Sequence, residues 1–150
     1  MKVEKIDRIA LDVNNLDSAI RLFSNVFGTT FDTVHDKIEK GKVKQEKKIT
    51  KYANKNFEES QIKVAISPMG LELIETVPPI GKEGVRSFHF KVSNLDEAMA
   101  EMERKGIRLI GEIKIGGLRE AIYSPEDLHG ARILLVEYEA PIAMGAILQK

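Results

Sequence analysis

One phrase occurs twice in this chain. Val13-Asn14-Asn15-Leu16-Asp17-Ser18-Ala19 returns as Val92-Ser93-Asn94-Leu95-Asp96-Glu97-Ala98, at a constant offset (92 − 13 = 79) in a sequence of 150 residues. A repeat of about half the chain constrains the fold more than any other feature. Two copies of one strand-then-helix unit must pack as two similar modules, and a ligand site is expected where their sheets face each other. The repeat also sets a test: a polar residue aimed into the shared cavity by one module should be matched from the other.

The units can be read residue by residue. Ile9, Leu11 and Val13 alternate with Arg8, Ala10 and Asp12 over Ile6 to Val13, the period of a half-buried strand. Asn15 is placed to cap a helix, along which Leu16, Ala19, Ile20, Phe23 and Phe27 recur at helical spacing until Gly28 ends it. The second copy puts Phe88, Phe90 and Val92 on one strand face and Ser87, His89 and Lys91 on the other. Asn94 with Glu97 forms a capping box, Leu95, Ala98, Met99 and Met102 form the apolar stripe, and Gly106 closes the helix. Strand patterns follow each helix: Phe31 to His35, Gln61 to Ser67 and Leu71 to Thr76, then Arg108 to Ile115, Arg119 to Tyr123 and Arg132 to Tyr138. Turns are expected at Pro68-Met69-Gly70, at Gly116-Gly117 and from Ser124 to Gly130. The class is therefore α+β: two tandem βαβββ modules, about 5–78 and 84–139, forming a cupped, mostly antiparallel mixed sheet with helices on the outer face. The strand faces carrying Arg8, Ala10 and Asp12 and Ser87, His89 and Lys91 are left to line the cup.

Two segments of this single domain, residues 1–150, stand outside the repeat. The insertion 37–55 carries eight lysines against Glu39 and Glu46, and is expected to be a long β-hairpin arm or a mobile flap, either a solvated loop or a basic lid that attracts an anionic substrate. The tail 140–150 is apolar enough to dock on a neighbouring surface or a partner through Ile142, Met144, Ile147 and Leu148, and a homodimer is expected. Composition excludes several classes. Zero formal net charge argues against nucleic acid and anionic membranes, and no apolar run reaches a membrane span. The absence of cysteine removes disulfides, thiolate metal sites and cysteine nucleophiles. With no signal-peptide pattern after Met1-Lys2-Val3-Glu4, a cytoplasmic location is expected.

The duplicated unit, with its V-x-N-L-D-x-A start to each helix, resembles the vicinal oxygen chelate superfamily. That group contains glyoxalase I (lactoylglutathione lyase), methylmalonyl-CoA epimerase, extradiol dioxygenases and the bleomycin-resistance proteins. The resemblance covers Lys5 to Glu139 and is closest to the epimerase, with glyoxalase I, through Arg86-Ser87-Phe88-His89-Phe90-Lys91-Val92, Lys105-Gly106-Ile107-Arg108, Pro125-Glu126-Asp127-Leu128-His129-Gly130 and Ile133-Leu134-Leu135-Val136-Glu137. It implies a cup in which metal-dependent members hold a divalent ion with four residues. Those positions fall here on Arg8, Glu72, Ser87 and Leu134, of which only Glu72 is a ligand type. No metal site and no cofactor are therefore expected.

In place of the ion, Arg8 is expected to supply fixed positive charge, balanced by Glu72 from across the cup. His89 or Glu72 is the candidate base, and Arg8, Asp12, Ser87, Lys91, Arg132 and Leu134 are the candidate ligand-binding residues. His35 and His129 are weaker candidates. Asp12 and Lys91, equivalent in the repeat, are expected to face each other at one rim. The resulting pocket is polar and locally cationic, suited to a small anionic molecule. Two functions follow: a glyoxalase/methylmalonyl-CoA epimerase-like lyase or isomerase acting on a small organic acid or acyl thioester, with the usual metal site largely lost, or a non-catalytic small-molecule-binding protein of the bleomycin-resistance type. A purely structural subunit is a third.

Overall fold

The computed structural model describes residues 1–54, 61–79 and 81–149. Nine strands form one curled sheet in the order β2-β4-β5-β1-β6-β9-β8-β7-β3. The first module runs β1 (Val3–Asp12), α1 (Leu16–Phe27), β2 (Asp32–Thr33), α2 (Val34–Glu39), β3 (Gln45–Ile49), β4 (Gln61–Ile66) and β5 (Leu71–Val77). The second runs β6 (Gly84–Val92), α3 (Leu95–Arg104), β7 (Leu109–Ile115), β8 (Leu118–Tyr123) and β9 (Ile133–Glu137), and α4 (Ala143–Ile147) follows. Among the described residues no helix is long and apolar enough to cross a membrane.

The repeat controls the outer face. Asn15 Oδ1 accepts from the Ser18 amide at 2.9 Å, and Asn94 Oδ1 from the Glu97 amide at 3.1 Å. A second pair of contacts is also duplicated. Glu75 on β5 accepts from the Leu16 amide at 2.9 Å, and Glu137 on β9 from the Leu95 amide at 2.7 Å. These glutamates are equivalent, because Leu71 lies beside Ile9 on β1 while Ile133 lies beside Phe88 on β6. Each carboxylate therefore meets the positive end of its own module's helix. Beneath the helices, Leu16, Ala65 and Leu73 form one apolar cluster and Leu95, Ala98, Met102, Ala121 and Leu135 belong to another.

The modules meet at β1 and β6, which pair antiparallel with Ile9 opposite Phe88, two positions equivalent in the repeat. The approximate twofold axis therefore passes between them. The register also shows why Asp12 and Lys91 do not face each other. Each lies three residues beyond the axis on strands running in opposite directions, which separates them by roughly 20 Å.

Three further expectations need correction. Only Asp32 and Thr33 of the segment Phe31 to His35 are strand. At Val34 the chain turns into α2, because Val34 and Ile38, one helical turn apart, share an apolar face that packs into the inner core. His35 is thus helical, and its Nδ1 accepts the Val64 amide of β4 at 3.1 Å, where β2 no longer supplies a partner. Secondly, the insertion is neither a hairpin arm nor a flap over its described part, for β3 pairs antiparallel with β7 of the other module. Lys55 lies outside the described residues. Since β2 and β3 occupy the two ends of the sheet yet are joined through residues 34–44, the sheet has to curl, and α2 spans the gap between its edges. Thirdly, the tail docks on its own chain: Ala143, Met144, Ala146 and Ile147 are buried with Leu118, Leu134 and Val136. The Gly117 amide donates to Ala146 O at 2.8 Å, and a Cβ on Gly116 would lie 2.1 Å from Ile147 O. The Gly-Gly turn is what admits the tail.

Candidate functional site

The concave face carries a compact ionic cluster. Arg8 on β1 and His89 on β6 are cross-strand neighbours, and Glu72 and Glu120 reach the same place from β5 and β8. All four are buried, each less than 8% exposed. One Arg8 Nη donates to Glu120 and also lies 2.9 Å from His89 Nδ1. The other donates to Asp7 at 2.7 Å, and Tyr138 Oη donates to Asp7 from behind. Asp7 points inward because β1 carries an extra residue there, with Ile6 opposite Phe90 but Arg8 opposite His89.

A guanidinium can only donate, so His89 Nδ1 is the acceptor and the ring proton lies on Nε2. Nε2 is 3.0 Å from Ser87 Oγ and 3.6 Å from Glu72. Burial alone would lower the pKa of Arg8; the carboxylates of Glu120, Glu72 and Asp7 outweigh it, and the pKa is raised. Burial would likewise raise that of Glu120, yet the charge of Arg8 and the hydrogen bond it donates hold it at about 2. The cluster is an ion network with one open member. Glu72 lies 3.5 Å from Arg8 Nε, accepts no hydrogen bond from the described residues and faces the cavity, while Arg8 Nε has no hydrogen-bond acceptor.

Above this floor is a cavity of about 440 Å³. Val34 and Ile38 from α2, Ile62 and Val64 from β4, Ile113 and Ile115 from β7, and Leu118 and Ile122 from β8 supply much of its wall. No Phe or Tyr lines it among the described residues. The cavity wall is therefore largely aliphatic rather than broadly polar, with charged groups in the floor cluster and, besides it, Arg86, Arg132, Glu39 of α2 and Lys47 of β3. Arg86 is bound to Asp12 at 2.9 Å.

The structure brings together Arg8, Glu72, Ser87, His89, Arg132 and Leu134, all on the cavity lining. Asp12 lies behind Arg86. Lys91 is not among the lining residues: its ammonium pairs with Glu4 at 3.3 Å and sits 4.3 Å from the centre of the Tyr138 ring. His129 is exposed in the turn before β9. Arg8 pairs more closely with Glu120 and Asp7 than with Glu72. Two members of the cluster escaped the sequence reading. Glu120 had a visible signal, an acid set in the alternation Leu118-x-Glu120-x-Ile122, all three on the cup face. Asp7 had none, since a bulge leaves no mark in hydrophobic period.

Glu72, Glu120 and His89 are of types that ligate metals, but as arranged they do not fit a divalent ion. The guanidinium stands among them and engages Glu120 and the only free lone pair of the imidazole. No group of three or more His, Asp or Glu among the described residues is disposed to hold a metal.

A family model described as Glyoxalase/Bleomycin resistance protein/Dioxygenase superfamily matches residues 7–123. The chain belongs to that superfamily. No curated protein sequence matches it significantly. Among solved structures, it resembles a variant of Streptomyces coelicolor methylmalonyl-CoA epimerase in complex with 2-nitronate-propionyl-CoA, with a TM-score of 0.64 at 19% identity over 93% of this chain and 100% of that one. Methylmalonyl-CoA epimerase from Mycobacterium tuberculosis gives 0.62 at 17% identity, over 92% and 90%. A hypothetical protein from Bacillus halodurans gives 0.60 at 16%, over 91% and 95%. At these identities the likeness is one of fold.

Proposed function

We propose that this member of the superfamily is an enzyme of the glyoxalase/methylmalonyl-CoA epimerase type. It would move a proton on the carbon next to a carbonyl of a small organic acid or acyl thioester, with the Arg8 guanidinium in the place of the family's divalent ion. One observation carries this reading: Arg8 and Glu72 both line the cavity floor, and the Glu72 carboxylate, 3.5 Å from a buried Arg8 Nε that has no hydrogen-bond acceptor, accepts no hydrogen bond from the described residues. A carbonyl oxygen turned toward the guanidinium would bring its α-carbon to Glu72. The carboxylate takes the α-proton as the C–H bond breaks, the electron pair moves to oxygen, and the guanidinium stabilises the enolate. Return of a proton to that carbon completes the exchange. Glu120 and Asp7 hold the guanidinium in place, and the aliphatic wall keeps water from competing for it.

The test uses EDTA-dialysed protein in deuterium oxide with methylmalonyl-CoA and a panel of α-branched acyl thioesters and oxo acids, reading α-deuterium by mass spectrometry. Exchange without added metal is expected, and Glu72→Gln should slow it by at least about 100-fold while binding persists. Exchange that requires a stoichiometric divalent ion would overturn the guanidinium assignment. A compound that binds the cup without exchanging would favour the alternative, a non-catalytic binder of the bleomycin-resistance type.

A further inference from the structure

Arg132 is out of balance with its surroundings. It directly precedes β9, and its carbonyl accepts the Phe88 amide at 3.0 Å, which fixes its backbone beside the β6 residues that line the cup. Its side chain lines the cavity and is largely withdrawn from solvent. Among the described residues no carboxylate lies within ion-pairing distance and no hydrogen bond holds its guanidinium, while Nε is enclosed without an acceptor. The neighbouring carboxylate, Asp12, is committed to Arg86 at 2.9 Å. Burial, and then the charge of Arg86, lower the pKa of Arg132, with Asp12 opposing. A cation withdrawn from water without a partner is unfavourable unless an anion joins it.

We propose that Arg132, with Arg86 beside it, is the receptor for a carboxylate at one end of an aliphatic ligand whose body fills the cup. Three arginine and aspartate charges sum locally to one positive charge, which suits a carboxylate better than a phosphate dianion. The planar guanidinium offers it two parallel hydrogen bonds. The walls define the rest of the molecule: Ile62, Ile74, Ile113 and Leu118 offer alkyl surface, and among the described residues no Phe or Tyr lines the cavity to stack on a ring. The ligand class is thus an alkyl carboxylic acid. This rests on the cup being the ligand site, as proposed above, and adds that a free acid group is read separately from the reacting carbonyl.

Calorimetric titration of the full chain with octanoate and with octanamide, a neutral molecule of similar shape, tests the anchor. Octanoate should bind at least about tenfold more tightly than octanamide, and Arg132→Met should remove that preference while leaving octanamide affinity in place. The ligand-free variant should melt at the same temperature as the parent or higher, because it no longer buries a charge. Equal binding of the two probes by the parent, binding of neither, or a variant that melts lower yet keeps octanoate affinity would each overturn the proposal. The two readings fail separately. Octanoate binding that depends on Arg132, without proton exchange in any substrate, retains the anchor and sinks the reaction. Proton exchange in an oxo acid undiminished by Arg132→Met retains the reaction and sinks the anchor.

Discussion

On the outer face of the sheet the two modules solve one problem the same way: Asn15 and Asn94 cap the helices, Glu75 and Glu137 take the first helical amides, and Leu16 and Leu95 anchor the packing. On the inner face the same pairs of positions diverge. Arg8 corresponds to Ser87, Ala10 to His89 and Glu72 to Leu134. Val64 corresponds to Glu120, since their partners Ile74 and Val136 are equivalent on β5 and β9. In each pair one module supplies a reactive or charged group and the other a small or apolar one. The difference is physical. A helix end must satisfy its own amides wherever it occurs, so each copy needs its own cap. The cup is a single space touched from both sides, and a group needed once need stand on only one of them.

The severest test of this contrast is removal of the guanidinium. Arg8→Met leaves Glu120, Glu72 and Asp7 buried without their cation, and a loss of about 3–5 kcal/mol is expected in urea denaturation. A loss under about 1 kcal/mol would mean that the cluster is hydrated rather than held, since exposed ion pairs are worth no more than that.

A smaller effect sharpens the inner half of the comparison. Glu120 titrates near 4.5 when unperturbed and is held at about 2 in the fold. Its stabilisation is therefore present above pH 4.5 and lost as pH falls from there toward 2. The parent's melting temperature should fall across that interval, and that of Glu120→Gln should fall less. Asp127, held at about 2 by hydrogen bonds from Arg108, titrates in the same range, so the readout is the difference between the two curves. Parallel curves would show that Glu120 is not an ionised partner of Arg8.

The smallest effects test the outer half. Asn15→Ala and Asn94→Ala should each cost about 1 kcal/mol, and the two costs should agree within about 0.5 kcal/mol. A gap larger than about 1 kcal/mol would break the equivalence of the two helix starts.

The sequence by itself determined the duplication, both helices with their caps, most strands and turns, and the inward faces of Arg8, Glu72 and His89. Each of these rests on local period or on residue chemistry at a helix end. Only the tertiary structure decided what those inward residues touch. A bulge turns Asp7 toward Arg8, and β8 brings Glu120 from 112 residues away in sequence. β3 crosses to the edge of the other module and curls the sheet, and the tail fills the inner core rather than a partner's surface. Antiparallel pairing about the axis sends Asp12 and Lys91 to opposite ends, although the repeat makes them equivalent. Periodicity reports which face of a strand a residue occupies; it carries no information about which distant strand will arrive beside it, because that is settled by closure of the whole sheet.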